Sequence, residues 1–227
     1  MRLSVVMPVY NEEATIAEIV RRVLKMEVVD ELLIVDDGST DGTRAVLKGI
    51  EGADRVRIIL KEKNEGKGSA VVRGFAEAQG ELVLIQDADL EYDPRHYPVL
   101  LQPIEENLAD VVYGSRFLGE ARRPILFWNM VANKILTLVT NVLYNTILTD
   151  METGYKLFRR EIVTGITIHA RRFDFEPEVT AKILKRKVRL YEVPIAFNPR
   201  DYTEGKKIGI WDGVEAVWTL VKYRFVD

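Results

Sequence analysis

Short β-branched runs alternate with longer amphipathic stretches through the first 115 residues, and that rhythm restricts the fold more than any single motif does. Strands are expected at Leu3–Met7, Leu32–Val35, Val56–Leu60, Leu82–Ile85 and Asp110–Tyr113. Helices are expected at Glu12–Lys25, Asp41–Ile50, Gly66–Gln79 and Arg95–Asn107. The strand runs are almost continuously apolar, so both faces of their sheet must be covered. Helical crossovers between such strands make the sheet mainly parallel, which gives a doubly wound α/β architecture. Ligands of such sheets collect outside the carboxyl ends of the strands, so the polar residues just after each strand are the ones to inspect.

Beyond residue 115 the rhythm changes to a long hydrophobic helix (Pro124–Leu148), a strand at Tyr155–Phe158, a helix near Pro177–Lys185, a strand at Val188–Pro194 and a final helix near Trp211–Phe225. No Pro/Gly/Ser-rich linker, repeat or low-complexity tract divides the chain, and its 227 residues suit one large core. Residues 1–227 are therefore expected to form a single domain, with a first half (1–115) and a second half (116–227) that differ in charge. The first half carries 13 Lys+Arg against 22 Asp+Glu, and the second 19 against 13. An acidic half that binds a metal and a basic half that faces phosphate would produce this split, and so would solvated helix faces. With no cysteine, a disulfide framework, thiolate metal site or cysteine nucleophile is excluded, and only His96 and His169 offer imidazole. No secretory pattern precedes the first strand, so a cytoplasmic location is expected.

Three strands end in polar clusters: Pro8-Val9-Tyr10-Asn11-Glu12-Glu13, Asp36-Asp37-Gly38-Ser39-Thr40-Asp41-Gly42, and Gln86-Asp87-Ala88-Asp89-Leu90-Glu91. Turn and cap chemistry accounts for Asp41 and Gly42. It does not account for Asp36 beside Asp37, or for three acids within Asp87–Glu91. Crowded carboxylates raise one another's pKa unless a cation compensates, so these clusters point to a hard metal such as Mg2+ or Mn2+, which takes one or two carboxylates and completes its shell with phosphate and water. Gly66-Lys67-Gly68-Ser69 is not a Walker loop, because Lys61 stands where that motif needs glycine. It reads either as a helix start with Lys67 or the helix N-terminus facing negative charge, or as a plain loop-to-helix transition.

Pro124–Leu148 is long enough to cross a bilayer, yet Asn129, Asn133, Thr137, Asn141 and Asn145 recur at i+4 along one side. The other face is expected to carry Ile125, Leu126, Trp128, Ile135, Leu136, Val139, Val142 and Leu143. The pattern fits a helix in a membrane interface or in a protein core better than a spanning one. Arg122 and Arg123 before it would meet anionic headgroups. Trp211, Trp218, Tyr223 and Phe225, interleaved with Lys222 and Arg224, carry the same ambiguity.

VVMPVYNEE, LLIVDDGSTDGT, NEGKGSAVVRGF, QDADLEYDP, VVYGSRF, DMETGYKLFRRE and EVPIAFNPRDYTEGKKI together span nearly the whole chain. In combination they resemble the family 2 glycosyltransferases of the GT-A fold, and within them the polyprenyl-phosphate and dolichol-phosphate sugar synthases. The resemblance implies that Pro8, Tyr10, Glu12, Val35 and Asp37 form a nucleoside pocket. It implies that Asp87 and Ala88 contact the nucleotide, Asp89 and Glu91 ligate the metal, and Arg116, Arg200 and Lys206 face the donor diphosphate and acceptor phosphate. Glu91 stands where the dolichol synthases often carry Gln. Asp150 matches the acid that other members use as a general base, but a phosphate acceptor, with its second pKa of about 6, needs little deprotonation, so Asp150 could instead orient a basic residue.

The implied function is inverting, metal-dependent transfer of a hexose, with GDP-mannose the favoured donor, to a polyprenyl or dolichyl phosphate at the cytoplasmic membrane surface. A transferase of the same fold with another donor, such as UDP-glucose, and a soluble or glycan acceptor is the alternative. A non-catalytic nucleotide-sugar-binding module is a third reading.

Overall fold

A computed structural model describes residues 1–119, 126–199 and 210–226. Their centre is a seven-stranded sheet in the order β3-β2-β1-β4-β6-β5-β7. The strands are β1 (Leu3–Val9), β2 (Glu31–Asp36), β3 (Val56–Leu60), β4 (Leu82–Ile85), β5 (Val111–Ser115), β6 (Lys156–Arg159) and β7 (Leu190–Pro194). The helices are α1 (Ile16–Leu24), α2 (Thr43–Ile50), α3 (Lys67–Glu77), α4 (Tyr97–Glu105), α5 (Phe127–Tyr144), α6 (Arg160–Thr164), α7 (Phe175–Lys185) and α8 (Ile210–Phe225).

Strands β1 to β4 pair in parallel, with β1 at their centre and Val5 opposite both Leu32 and Leu84. Alternate residues of β1, β2 and β4 enter different cores. Val5, Met7, Leu32, Ile34, Leu82 and Leu84 pack with Ile16, Ile19 and Val23 of α1 on one face. Val6, Leu33, Val83 and Ile85 pack with Val71 and Phe75 of α3 and Phe175 and Val179 of α7 on the other. Two-sided burial is the physical reason that these strands read as unbroken apolar runs.

The expected series of β-α units holds through β4, but β5 does not lie beside it. Strand β6, from the second half, inserts between them and runs antiparallel to both, with Leu84 opposite Leu157 and Val112 opposite the same residue. Strand β7 then adds in parallel to β5. The two halves are thus joined in one sheet.

Several boundaries shift for local reasons. Helix α1 starts at Ile16 because Asn11 adopts a positive φ of 54° and the chain turns before it can coil. The stretch Arg95–Asn107 divides into a 3-10 turn, Pro94–His96, and α4. The helix expected at Pro124–Leu148 occupies Phe127–Tyr144 and ends where Asn145 turns left-handed at φ 51°. Helix α6 carried no sequence signal strong enough to expect it. Among the described residues no helix is long and apolar enough to cross a membrane.

Candidate active site

The loops after β1 and β2 are sewn together by side chains. Ser39 Oγ accepts from the Asn11 backbone at 3.0 Å, and Asn11 Oδ1 accepts from Thr40 N at 2.8 Å. Thr43 Oγ1 accepts from Glu12 N at 2.9 Å, and Glu13 Oε2 from Gly42 N at 3.0 Å. Glu12 Oε2 in turn accepts from Thr15 Oγ1 at 2.6 Å, beside the start of α1. Val35 is fully buried in β2, Pro8 is half-buried, and Tyr10 is exposed beside them. The five residues expected around a nucleoside therefore share the carboxyl ends of two adjacent strands.

Asp37 is buried and heavily engaged. Its Oδ1 pairs with Lys61 Nζ at 2.5 Å, while Oδ2 accepts from Gly66 N at 2.6 Å and both oxygens lie 3.2 Å from Glu65 N. A base or ribose hydrogen bond to this carboxylate would join an occupied group. Neighbouring Asp36 pairs with Arg44 at 2.6 Å. Gly38, at φ 76°, is required here: a Cβ would lie 2.5 Å from the backbone of Lys63 and Asn64. An open groove of about 570 Å3 along β3 and α3 begins at this Lys61 corner, but none of the strand-end acids lines it.

The turn after β4 places Asp87 and Asp89 half-buried and Ala88 and Glu91 buried. Leu90 holds a φ of 62°, an uncommon conformation for a leucine, and Asp89 Oδ1 accepts from Glu91 N at 3.1 Å. Among the described residues no group of three or more His, Cys, Asp or Glu is disposed to hold a metal. The two carboxylates Asp89 and Glu91 nevertheless match the partial shell that Mg2+ or Mn2+ accepts beside a diphosphate. Lys67 lies in the same place but faces protein acids: its Nζ is 2.8 Å from Asp87 Oδ1 and 3.0 Å from Glu176 Oε1. Burial would lower its pKa, and the two carboxylates outweigh that and hold it charged. The start of α3 meets the Arg171 carbonyl, which accepts from Ser69 N at 3.2 Å.

Arg116 and Asp150 form the second centre. Asp150, fully buried, accepts from Arg116 Nε and Nη2 at 2.7 Å each, from Arg116 N at 3.0 Å and from Asn133 Nδ2 at 3.0 Å. Burial would raise this carboxyl, but the guanidinium and the two other donated bonds outweigh it and hold Asp150 below the ordinary aspartate range. A carboxylate so occupied is a poor proton acceptor and a good clamp for Arg116. Glu192 supports it from β7 by accepting from the backbone nitrogens of Thr149 and Asp150. Lys156 lies beneath, with its ammonium donating to the carbonyls of Met151 and Thr153 and standing 4.5 Å from the Tyr113 ring centre.

The segment after β7 is fastened to the β4 turn. Glu91 O accepts from Asn198 N at 3.0 Å, Tyr92 bridges to Phe197, and His96 Nε2 accepts from Ala196 N at 3.1 Å. The Arg116 guanidinium lies 5.1 Å from the Phe197 ring centre. His96 is thereby committed to a structural bond, and His169 is exposed. Arg200 and Lys206 lie outside the described residues, as do Arg122, Arg123 and Ile125.

Helix α5 points the middle of its polar series inward, while Asn129 and Asn145 at the two ends are exposed. Asn133 reaches Asp150, Thr137 Oγ1 accepts from Met151 N at 3.2 Å, and Asn141 exchanges two bonds with the Leu148 backbone. Leu136, Val139 and Leu143 pack with Ala216, Val217 and Leu220 of α8. Trp128, Ile135, Leu138 and Val142 are left facing outward, with Trp128 75% and Val142 73% exposed, and Trp211 and Trp218 of α8 are exposed as well. The apolar side expected from the sequence is thus divided: Leu136, Val139 and Leu143 join the core beside the inward polar residues, and Leu126, Trp128, Ile135 and Val142 stay exposed. Glu176 carried no signal in the sequence, and Lys61 entered only as the residue that rules out a Walker loop, because neither belongs to a local motif that marks its long-range partner.

Similarity to known proteins follows the same layout. Residues 4–166, a span that includes every strand-end cluster above, match the profile of Glycosyl transferase family 2. The chain is 30% identical over 231 residues to dolichol-phosphate mannosyltransferase of Pyrococcus furiosus, covering 99% of itself and 65% of that protein. It is 31% identical over 212 residues to undecaprenyl-phosphate 4-deoxy-4-formamido-L-arabinose transferase of Proteus mirabilis, covering 90% of itself and 62% of that protein. It thus spans about two thirds of the length of these relatives. Among solved structures, glucosyl-3-phosphoglycerate synthase of Mycobacterium tuberculosis, crystallised with Mn2+, UDP and phosphoglyceric acid, superposes with a TM-score of 0.76 at 22% identity over 100% of this chain and 79% of that one. That likeness carries the fold, a GT-A sheet with its flanking helices. The matched profile covers the strand-end loops and reaches from β1 through β6, and the chain belongs to glycosyl transferase family 2.

Proposed function

We propose that this chain transfers a hexose, with inversion and with a divalent cation, from a nucleoside-diphosphate donor to a polyprenyl or dolichyl phosphate on the cytoplasmic face of a membrane. The observation that carries this reading is the Arg116–Asp150 clamp, which lies beside the acidic β4 turn and is built partly from α5, the helix whose opposite side is apolar and exposed. The names of the relatives support it, since both act on a polyprenyl-type phosphate.

In this reading Pro8, Tyr10, Glu12, Val35 and Asp37 enclose the nucleoside, and Asp87 and Ala88 meet the nucleotide. Asp89 and Glu91 hold Mg2+ or Mn2+, an assignment that the Mn2+ and UDP in the similar solved structure support. The cation, when bound, offsets charge on the departing diphosphate. Arg116, fixed by Asp150, faces the same phosphates, and Arg200 and Lys206 meet the acceptor phosphate, since guanidinium forks suit bidentate phosphate contacts. Lys67 acts through Asp87, whose carboxylate it holds in place. An acceptor phosphate oxygen attacks the anomeric carbon, and the bond to the diphosphate breaks with its electron pair leaving on the nucleotide. The attacking oxygen is already anionic near neutral pH, so no strong base is needed. That requirement agrees with an Asp150 whose oxygens are occupied by Arg116 and Asn133.

The exposed aromatics Trp128, Trp211 and Trp218 are set against a membrane interface, where one end of an indole is apolar and the other hydrogen-bonds. Mannose is the favoured sugar because the first of the two relatives is named for it. A soluble acceptor is the second reading, favoured by the phosphoglyceric acid in the similar solved structure. The deciding test supplies radiolabelled GDP-mannose or UDP-glucose, Mn2+, and either polyprenyl phosphate or a soluble phosphate acceptor. Label entering the organic phase only with polyprenyl phosphate is the expected result. Label that stays aqueous with every acceptor overturns it.

A further inference from the structure

Two carboxylates at this site have no work in the scheme above. Glu176, in the first turn of α7, is 6% exposed. One of its oxygens meets Lys67 at 3.0 Å, and the other, Oε2, is buried with no hydrogen-bond partner among the described residues. Glu152 follows Asp150 by two residues, and its Oε1 is buried and equally unmatched among them. A structural ion-pair network that existed only to hold the fold would bring donors to those oxygens, because an unmatched buried acceptor costs stability. Their partners are therefore to be sought in a ligand.

Both acids border the place where a donor's sugar must lie. The diphosphate is anchored at the β4 turn, and the ring begins one bond beyond it. Glu176 is separated from Asp87 of that turn by a single ammonium, Lys67. The turn bearing Glu152 is pressed onto the β4 turn: a Cβ on Gly154 would collide with Asp87 Oδ2, and the Tyr92 hydroxyl accepts from Gly154 N at 2.9 Å. Glu152 also feels the charges of Arg116 and of Asp150, two residues before it in the chain.

We infer that Glu152 and Glu176 together recognise hydroxyl groups of the sugar being transferred, and so set which neutral hexose the enzyme accepts. The inference rests on the glycosyltransferase reading above and deepens it. Burial, and then the neighbouring charge of Glu176, push the Glu152 carboxyl well up towards its protonated form, with Lys156 and Arg116 opposing. A carboxyl that keeps its proton offers both a donor and an acceptor, while its partner on Lys67 offers an acceptor only. That set matches two hydroxyls of a neutral ring. Discrimination by such a pair is steep, because a sugar that lacks or misplaces a hydroxyl leaves a buried oxygen unmatched.

The test is calorimetric titration of wild type, Glu176→Gln and Glu152→Gln with GDP, UDP, GDP-mannose and UDP-glucose, each with Mn2+. Melting temperatures verify that the variants are folded, and Glu152→Gln leaves the Lys67 contacts intact. The expected result is bare-nucleotide affinity within about three-fold of wild type and a loss of about ten-fold or more for the sugar-bearing form that wild type prefers. Equal weakening towards the bare nucleotide and its sugar form, or no change towards either, overturns the sugar assignment alone. Wild type that binds none of the four overturns the glycosyltransferase reading, and the sugar assignment with it.

Discussion

The two halves of the chain use polarity in opposite ways. In residues 1–115 strands β1, β2 and β4 divide their apolar residues between two cores, α1 and α3 turn apolar faces inward, and the acids gather at strand ends. In residues 116–227 the longest helix turns Asn133, Thr137 and Asn141 inward and leaves Trp128, Ile135, Leu138 and Val142 outside. The first half is organised around a polar ligand at the edge of an apolar sheet. The second is organised around a buried ion pair, and the apolar surface left over faces outward. Burying polar groups is costly unless each is matched, and here the α5 side chains are matched to Asp150, Met151 and Leu148. The difference teaches that hydrophobic periodicity locates a helix but does not tell which face the core will take.

The contrast can be broken most sharply at the β4 turn. Asp89→Ala is expected to reduce sugar transfer by on the order of 10^2 to 10^3-fold while leaving the fold intact, since it removes charge stabilisation without emptying the core. Initial rates with Mn2+, read beside the melting temperature, measure both parts. Retained turnover would remove the division of labour between the halves.

Asp150→Ala should act on stability as well as on rate. It leaves Arg116 buried without its counter-ion, a loss of about 3–5 kcal/mol in denaturant unfolding. Asp150 titrates below its ordinary value in the folded state. Its contribution is therefore present above the unfolded pKa of about 4 and is lost as pH falls through the lower folded value. Wild type should lose more stability than Asp150→Ala on acidification below about pH 4. Parallel acid curves would show that the clamp is not holding an anion.

The outward face of the second half gives the next effect. Trp128→Gln combined with Trp218→Gln should weaken co-sedimentation with anionic lipid vesicles by roughly ten-fold or more, because each indole would lose burial worth about 1–3 kcal/mol. The melting temperature should hardly move, since Trp128 is 75% and Trp218 64% exposed. Unchanged sedimentation would leave the apolar face without a lipid role.

Thr137→Val is the mildest probe and the most direct one of the inverted helix. It keeps the shape but deprives Met151 N of its acceptor, for an expected cost of about 1 kcal/mol in equilibrium unfolding. A gain in stability would mean that this face of α5 behaves as ordinary apolar core.

Legibility in the sequence followed the range of the interactions. Asp87, Asp89 and Glu91 lie within five residues on one turn, so their crowding could be seen without a fold. Arg116 and Asp150 could each be singled out, but their bidentate pairing could not, because 34 residues separate them. Glu176 joins Lys67 across still more of the chain and belongs to no local pattern.

By itself the sequence determined what repeats locally: the strand and helix periods of the first half, the strand-end acids, the amphipathic character of α5, and the motifs that mark the family. Only the tertiary structure decided that β6 inserts antiparallel between β4 and β5, that α5 turns Asn133 inward to Asp150, and that Asp150 is spent on Arg116. The reason is physical. A period of two or of 3.6 residues is carried by neighbours in the chain, whereas strand order and the matching of a buried charge depend on groups that meet only once the chain has folded.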